Sequence, residues 1–378
     1  MAANVCTWSG NPRDARTDEE ARVRTSRVDA VVENWFPRFL ANGLDYFDVR
    51  RMLNGIDTWD DWAPVWTEAA QRYADLGHAA LETGHRVTAA EHLRRAALTM
   101  QFAQFVLTDQ PELRKVLQGR QAELYATCAP LLDPPARRVE IGEGAATVVG
   151  YLRTPPAAPL SVLPGVVVLL PGLESTKEQF STYEPYFLRR GVATLSVEGP
   201  GQGEHAAPFR STSYGRAMSA VGTYLRSLEC VDTDRLVVLG TSFGGHLALR
   251  FADRFPQVRG VVDIAGPYDL DDFEGLQPVT QESLRAFVGA DGLDQAKRLL
   301  SDVTLDGVLE AIRVPVLVVH GERDAIIPVS HAHRIVRSLG DLAEARHDSL
   351  GNHSCNNIAT VVRPFVADWV ADRLLEAS

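Results

Sequence analysis

The segment Gly240-Thr241-Ser242-Phe243-Gly244 follows directly on the apolar run Arg235-Leu236-Val237-Val238-Leu239 and leads into the helix-like Gly245-His246-Leu247-Ala248-Leu249-Arg250-Phe251-Ala252. A serine flanked by glycines at such a junction has the spacing of a tight strand-to-helix elbow. The serine takes a strained backbone conformation there, and the glycines let strand and helix approach. Its hydroxyl is left exposed at the strand's end. Taken alone these five residues are a weak signal, because turns favour Gly and Ser in any case. The flanking strand and helix strengthen it, and so do an acid and a base later in the chain, in the order Ser, Asp, His.

The rest of the chain divides into two regimes. Helical periodicity dominates residues 28–36, 59–81, 88–107 and 112–124. Asp57 or Thr58 reads as a helix start, Thr88 with Glu91 as a capping box, and Gly84 as a helix end. Beyond Pro134-Pro135 the pattern changes to short β runs at 138–141, 147–152, 165–170, 192–197, 236–239, 261–264 and 316–319. Helical stretches at 214–228, 330–339 and 360–374 lie between and after them. Continuous apolar strands alternating with helices imply an α/β fold, a mostly parallel sheet covered on both faces, with the first two runs as an antiparallel start. The expected division is residues 1–135 as an all-helical N-terminal domain and 136–378 as the catalytic domain. The Pro-rich piece 154–164 reads as a surface connection.

A serine hydroxyl near neutral pH needs a base to take its proton and an acid to orient that base. His353, in Leu350-Gly351-Asn352-His353-Ser354 just before the last helical run, is the candidate base. His320 ends a strand, His331 and His333 sit on a helix, and His246 lies inside the helix after the elbow. The candidate acid is Asp324, in the loop past the strand run 316–319, from which a carboxylate reaches the far ring nitrogen of the histidine. Asp263 and Asp269, after the preceding strand, are the rival positions. The oxyanion formed on attack needs donors already aimed at it. These are the N–H of Phe243 and an N–H from the turn Pro171-Gly172-Leu173-Glu174-Ser175, with Leu173 the first choice and Glu174 the other. Glu174, Lys177 and Glu274 are candidate substrate contacts, weighed against plain solvated loops. The aromatic stripe Trp35, Phe36, Phe39, Trp59, Trp62, Trp66 and Tyr73, with Phe102, Phe105 and Tyr125, reads as helix packing, with a lesser role in lining a pocket.

Composition excludes several classes. The net charge of −11 and isoelectric point near 5.4 oppose a nucleic-acid or anionic-membrane partner. The start of the chain, Met1 to Trp8, lacks a basic region ahead of an apolar stretch, so no signal peptide is expected. The four cysteines, Cys6, Cys128, Cys230 and Cys355, are scattered without metal or disulfide spacing and suit a cytoplasmic setting. Cys355, two residues past the candidate base, reads as a small buried thiol. Gly199-Pro200-Gly201-Gln202-Gly203 lacks the lysine and helix opening of a phosphate cradle, so no cofactor and no metal are expected.

Five stretches carry a family resemblance: Pro171-Gly172-Leu173-Glu174-Ser175-Thr176-Lys177-Glu178, Glu198-Gly199-Pro200-Gly201-Gln202-Gly203-Glu204, 240–245, His320-Gly321-Glu322-Arg323-Asp324 and Gly351-Asn352-His353. Through them the chain resembles the α/β-hydrolase superfamily, within it the group around 2,6-dihydroxypseudooxynicotine hydrolase. It also looks akin to esterase-like fermentation/respiration switch proteins and to fungal hydrolases that shorten polyketide chains. The resemblance covers about residue 135 to the end and is looser through the helical half. It implies an α/β-hydrolase fold with a helical cap, a homodimer, the roles of Ser242, Asp324 and His353, and cleavage of a C–C bond beside a ketone or of an ester. The substrate class expected is a small carbonyl or ester compound. Two other readings stand beside it: acyl transfer or cyclisation of a polyketide-like chain by the same triad, and a non-catalytic partner protein on a hydrolase scaffold.

Overall fold

Helices come first in the computed structural model, which describes residues 26–142, 147–156, 163–205 and 207–375. The expectations made for Met1 to Trp8 and Cys6, and for most of the connection 154–164, lie outside these residues. Helices α1 (Ser26–Ala41), α2 (Tyr46–Asn54), α3 (Trp62–Glu82), α4 (Arg86–Ala103) and α5 (Pro111–Cys128) precede every strand. Their shared core is built on Phe39, whose ring centroid lies 4.7 Å from that of Phe102 and 5.1 Å from that of Trp66. The Trp62 indole N–H, which burial would otherwise leave unpaired, donates to the Phe102 carbonyl at 2.8 Å.

Of two expected helix starts, one is found and one is displaced. Thr58 starts a short 3-10 turn, Trp59–Asp61, where the Asp61 carboxylate accepts the Thr58 N–H. Thr88 is no cap, because α4 has already begun at Arg86. The cause lies upstream at Gly84, whose φ of +79° completes a Schellman ending of α3: His85 N–H donates to the Ala80 carbonyl and Gly84 N–H to Leu81. The chain thus reverses within three residues. Helix α2, short and capped by the Asp45 side chain, was not expected.

Among the described residues eight strands follow: β1 (Arg137–Ile141), β2 (Val148–Arg153), β3 (Gly165–Leu170), β4 (Ala193–Val197), β5 (Asp232–Thr241), β6 (Gly260–Ile264), β7 (Val316–Gly321) and β8 (Ala343–Asp348). They form one sheet in the order β1-β2-β4-β3-β5-β6-β7-β8. Strand β2 is antiparallel to both neighbours, and β3 to β8 pair in parallel. Intervening helices are α6 (Glu184–Leu188), α7 (Ser211–Arg226), α8 (Phe243–Arg254), α9 (Pro278–Phe287), α10 (Leu293–Leu299) and α11 (Ser330–Leu339), with α12 (Ala359–Leu375) last.

Strand residues two apart share a face. Val166, Val168 and Leu170 of β3 enter the core beneath α7, α8 and α11, while Val167 and Leu169 enter the core beneath α6 and α12. Double coverage is why these strands read as unbroken apolar runs. Strand β8 escaped the reading for the converse reason. It is an edge strand of sequence Ala-Glu-Ala-Arg-His-Asp, partly exposed along its whole length. The topology brings the C-terminal ends of β3, β5, β7 and β8 to one rim, the position where open parallel sheets place ligands.

Candidate active site

Ser242 sits between β5 and α8 with φ 55° and ψ −129°, a conformation that costs a non-glycine residue about 1–3 kcal/mol. Its neighbours hold it there: Ser242 N–H donates to the Ile264 carbonyl and Gly245 N–H to the Ser242 carbonyl, both at 2.7 Å. A Cβ at Gly240 would lie 1.8 Å from the Gly244 carbonyl oxygen, and one at Gly244 would lie 2.2 Å from the Leu170 carbonyl oxygen. The strand and helix therefore approach as closely as they do only because both residues lack side chains.

His353 opens a 3-10 turn just after β8. Its Nε2 lies 2.9 Å from Ser242 Oγ, and its Nδ1 lies 2.7 Å from Asp324 Oδ2. With Nδ1–H donating to the carboxylate, Nε2 is left as the acceptor for the serine proton. Asp324 is buried at the end of β7, where its Oδ1 accepts the N–H groups of Ile326 and Ile327 at 2.9 and 2.8 Å. Burial pushes its carboxyl up, but His353, His320 and these hydrogen bonds outweigh that and hold it below the ordinary carboxylate value. Burial lowers the pKa of His320 against the pull of Asp324; its Nε2–H donates to the Ile327 carbonyl at 2.8 Å.

The rival acids face elsewhere. Asp263 is buried behind the elbow, where its Oδ1 accepts the Gly266 N–H, and burial pushes its carboxyl up to about 7. Asp269 pairs with Arg334 at 2.5 Å. Burial also pushes the Cys355 thiol up to about 12, and its sulfur packs in the core beneath α12.

The turn after β3 abuts the nucleophile: a Cβ at Gly172 would lie 3.0 Å from that of Ser242. Side chains pin its carbonyls. Gln202 Nε2 donates to Pro171 and Gly172 at 3.0 and 2.8 Å, while Gln101 and Arg38 donate to Glu174 at 2.9 and 3.1 Å. A trans peptide points its C=O and N–H in opposite directions, so fixing the Gly172 carbonyl also fixes the Leu173 N–H, on the other side. Among the described residues, the Leu173, Glu174 and Phe243 amides have no protein acceptor. Sequence reasoning missed Gln202, although it lies in the glycine-rich segment already singled out.

Leu173, Glu174, Ser242 and His353 all line one cavity of about 100 Å³, roofed from the helical region by Trp35 and Val106. A larger void of about 600 Å³ lies beyond Leu173, Glu174 and Ser283, which line both. The Glu174 carboxylate is not free for substrate, since Arg114 pairs with it at 2.8 Å.

Two expected contacts are corrected. Lys177 is buried away from the cavity, its Nζ held by Glu178, Glu198 and Glu204 at 2.6, 3.0 and 2.7 Å, because a buried ammonium must be paired. Glu274 is exposed and paired with Lys297, and it does not line the cavity. Among the described residues no cluster of His, Cys, Asp and Glu has the form of a metal site, and no helix is long and apolar enough to cross a membrane.

Residues 178–357 match the prolyl oligopeptidase family. Over 369 residues, 93% of this chain and 95% of the other, the protein is 35% identical to the 2,6-dihydropseudooxynicotine hydrolase of Paenarthrobacter nicotinovorans. The crystal structure of the 2,6-dihydroxy-pseudo-oxynicotine hydrolase matches with a TM-score of 0.82 at 32% identity, over 90% of this chain and 96% of that one. Hydrolase LUC6 of a Fusarium species is 34% identical over 227 residues, 56% of this chain and 54% of its own length, so the chain spans about half of that relative. Agreement in sequence and in fold along nearly the whole of one hydrolase makes this chain an enzyme of the α/β-hydrolase family, in the group of 2,6-dihydropseudooxynicotine hydrolase.

Proposed function

We propose that the protein is a serine-dependent hydrolase that cleaves a carbon–carbon bond beside a ketone, in a 1,3-dicarbonyl or acyl-aromatic compound, or a related ester. The observation that carries this reading is the hydrogen-bond chain from Ser242 Oγ through His353 to Asp324 at the wall of a cavity. Ser242 Oγ attacks the carbonyl carbon while His353 Nε2 takes its proton, and Asp324 stabilises the imidazolium. The N–H groups of Phe243 and Leu173 receive the oxyanion.

Collapse of the tetrahedral adduct breaks the C–C bond only if the departing carbon's electron pair is delocalised, as an enolate into an adjacent carbonyl or phenol. His353 returns its proton to that group, then activates water to release the acid from Ser242. The helical residues serve as a cap, a role supported by Trp35 and Val106 at the cavity. Dimerisation belongs to the proposal on the strength of the family resemblance, and a cytoplasmic setting on the scarcity of cysteine.

A fluorophosphonate probe should label the wild type and not Ser242→Ala. Incubation with a 1,3-diketone should yield one carboxylic acid and one ketone, after a burst equal to the enzyme concentration. Labelling that persists in Ser242→Ala removes the nucleophile. Product formation without a burst favours direct attack by water, with His353 as base.

A further inference from the structure

The cavity beside Ser242 has one wall rich in donors that have nothing to donate to. Arg38, from α1, makes its three hydrogen bonds through Nη2 alone, to the Glu174 carbonyl, Ser175 Oγ and Gln179 Oε1. Among the described residues its Nε and Nη1 have no protein acceptor. Its guanidinium also lies 4.7 Å from the Phe105 ring centroid. Burial lowers its pKa to about 10, so it stays charged near neutral pH.

Arg363, from α12, is 5% exposed. Its Nη1 donates to the Thr182 carbonyl at 3.3 Å, and its guanidinium lies 4.0 Å over the Tyr183 ring. Among the described residues its Nε and Nη2 are buried without a partner, and so is Gln179 Nε2. Arg38, Gln179, Tyr183 and Arg363 all line the cavity that holds Ser242 and His353.

Folded proteins rarely leave buried donors unsatisfied, least of all on a guanidinium, and an exception asks for an explanation. Here the sealed, unsatisfied nitrogens are donors of Arg363 and Gln179, the half-buried Arg38 lies beside them, and two of the three side chains carry positive charge, in a chain whose net charge is −11. Of the acids nearby, Glu174 acts on Arg38 through its charge but pairs directly with Arg114, and Asp324 is taken by His353. A planar guanidinium fork fits two oxygens sharing one negative charge.

We propose that Arg38, Gln179 and Arg363 form the seat for a carboxylate of the substrate, so that the enzyme selects acyl compounds that carry an anionic carboxylate beside the scissile carbonyl. This rests on the serine-hydrolase reading above and names the class of molecule it acts on.

The test compares mono-p-nitrophenyl glutarate with its neutral methyl ester. At pH 7.5 the wild type should favour the anionic ester by tenfold or more in kcat/KM. In Arg363→Gln, and separately in Arg38→Gln, that ratio should fall at least tenfold. Equal rates on the two esters for the wild type would overturn the proposal, as would a ratio unchanged in both variants. Calorimetry of glutarate with Ser242→Ala reads the seat without chemistry: binding there that weakens tenfold when Arg363→Gln is added supports it even if the nucleophile proves to be another group.

Discussion

The cluster of acid and base around Asp324 and the one around Lys177 are put to opposite uses. In one, Asp324 and His353 form a chain that ends on a serine hydroxyl at a cavity. In the other, Lys177 is held among Glu178, Glu198 and Glu204, with Glu198 also accepting the backbone N–H groups of Lys177 and Glu204, and Glu204 pairing in turn with Arg138. The residue types in the two are comparable. One terminates at a group that faces open space, and the other spends every charge on a partner. Buried charge thus marks chemistry only where its chain of partners has an open end.

That contrast can be broken or sharpened by three sets of variants. Ser242→Ala and His353→Ala should each lower kcat/KM by about 10⁴-fold to 10⁶-fold, and Asp324→Asn by about 10³-fold, with the circular dichroism spectrum unchanged. More than a tenth of wild-type activity in His353→Ala would sink the assignment of the base.

Lys177→Met should act on stability instead. Stranding buried carboxylates costs about 3–5 kcal/mol, read as a lower urea midpoint, while kcat/KM per folded molecule changes less than tenfold. A variant that is stable but inactive would give Lys177 a catalytic part.

Asp263 sharpens the comparison as a buried carboxylate with no cation beside it among the described residues. Its carboxyl titrates near 7 in the folded protein and near 3.9 when unfolded. Its contribution to stability is therefore complete below about pH 4 and is lost as the pH rises through about 7. Asp263→Asn should exceed the wild type in stability at pH 8 by on the order of 2 kcal/mol, with the gap closing toward pH 5. A gap independent of pH would mean that the carboxyl is hydrated or paired in solution.

Legibility in the sequence followed the range of the interaction. The elbow at Ser242 was readable because strand, glycines and helix are contiguous, and α11 was readable because its apolar positions recur within one element. Asp324 and His353 could be nominated because each lies close to a strand end or a helix start. Strand β8 was invisible, since an edge strand needs no apolar run. Lys177 was misread because a charged turn looks alike whether solvent or three carboxylates surround it. Arg38 carried no signal at all: its partners lie 136 to 141 residues away.

By itself the order of residues determined which groups this chain could deploy, a nucleophile on a forced turn and an acid and a base on later loops, because those depend on backbone geometry over a few positions. The tertiary structure decided which charges face the cavity and which are consumed beneath it. Burial and pairing depend on distances between segments far apart in the chain, and those distances exist only once the sheet has been assembled and the helices laid across its rim.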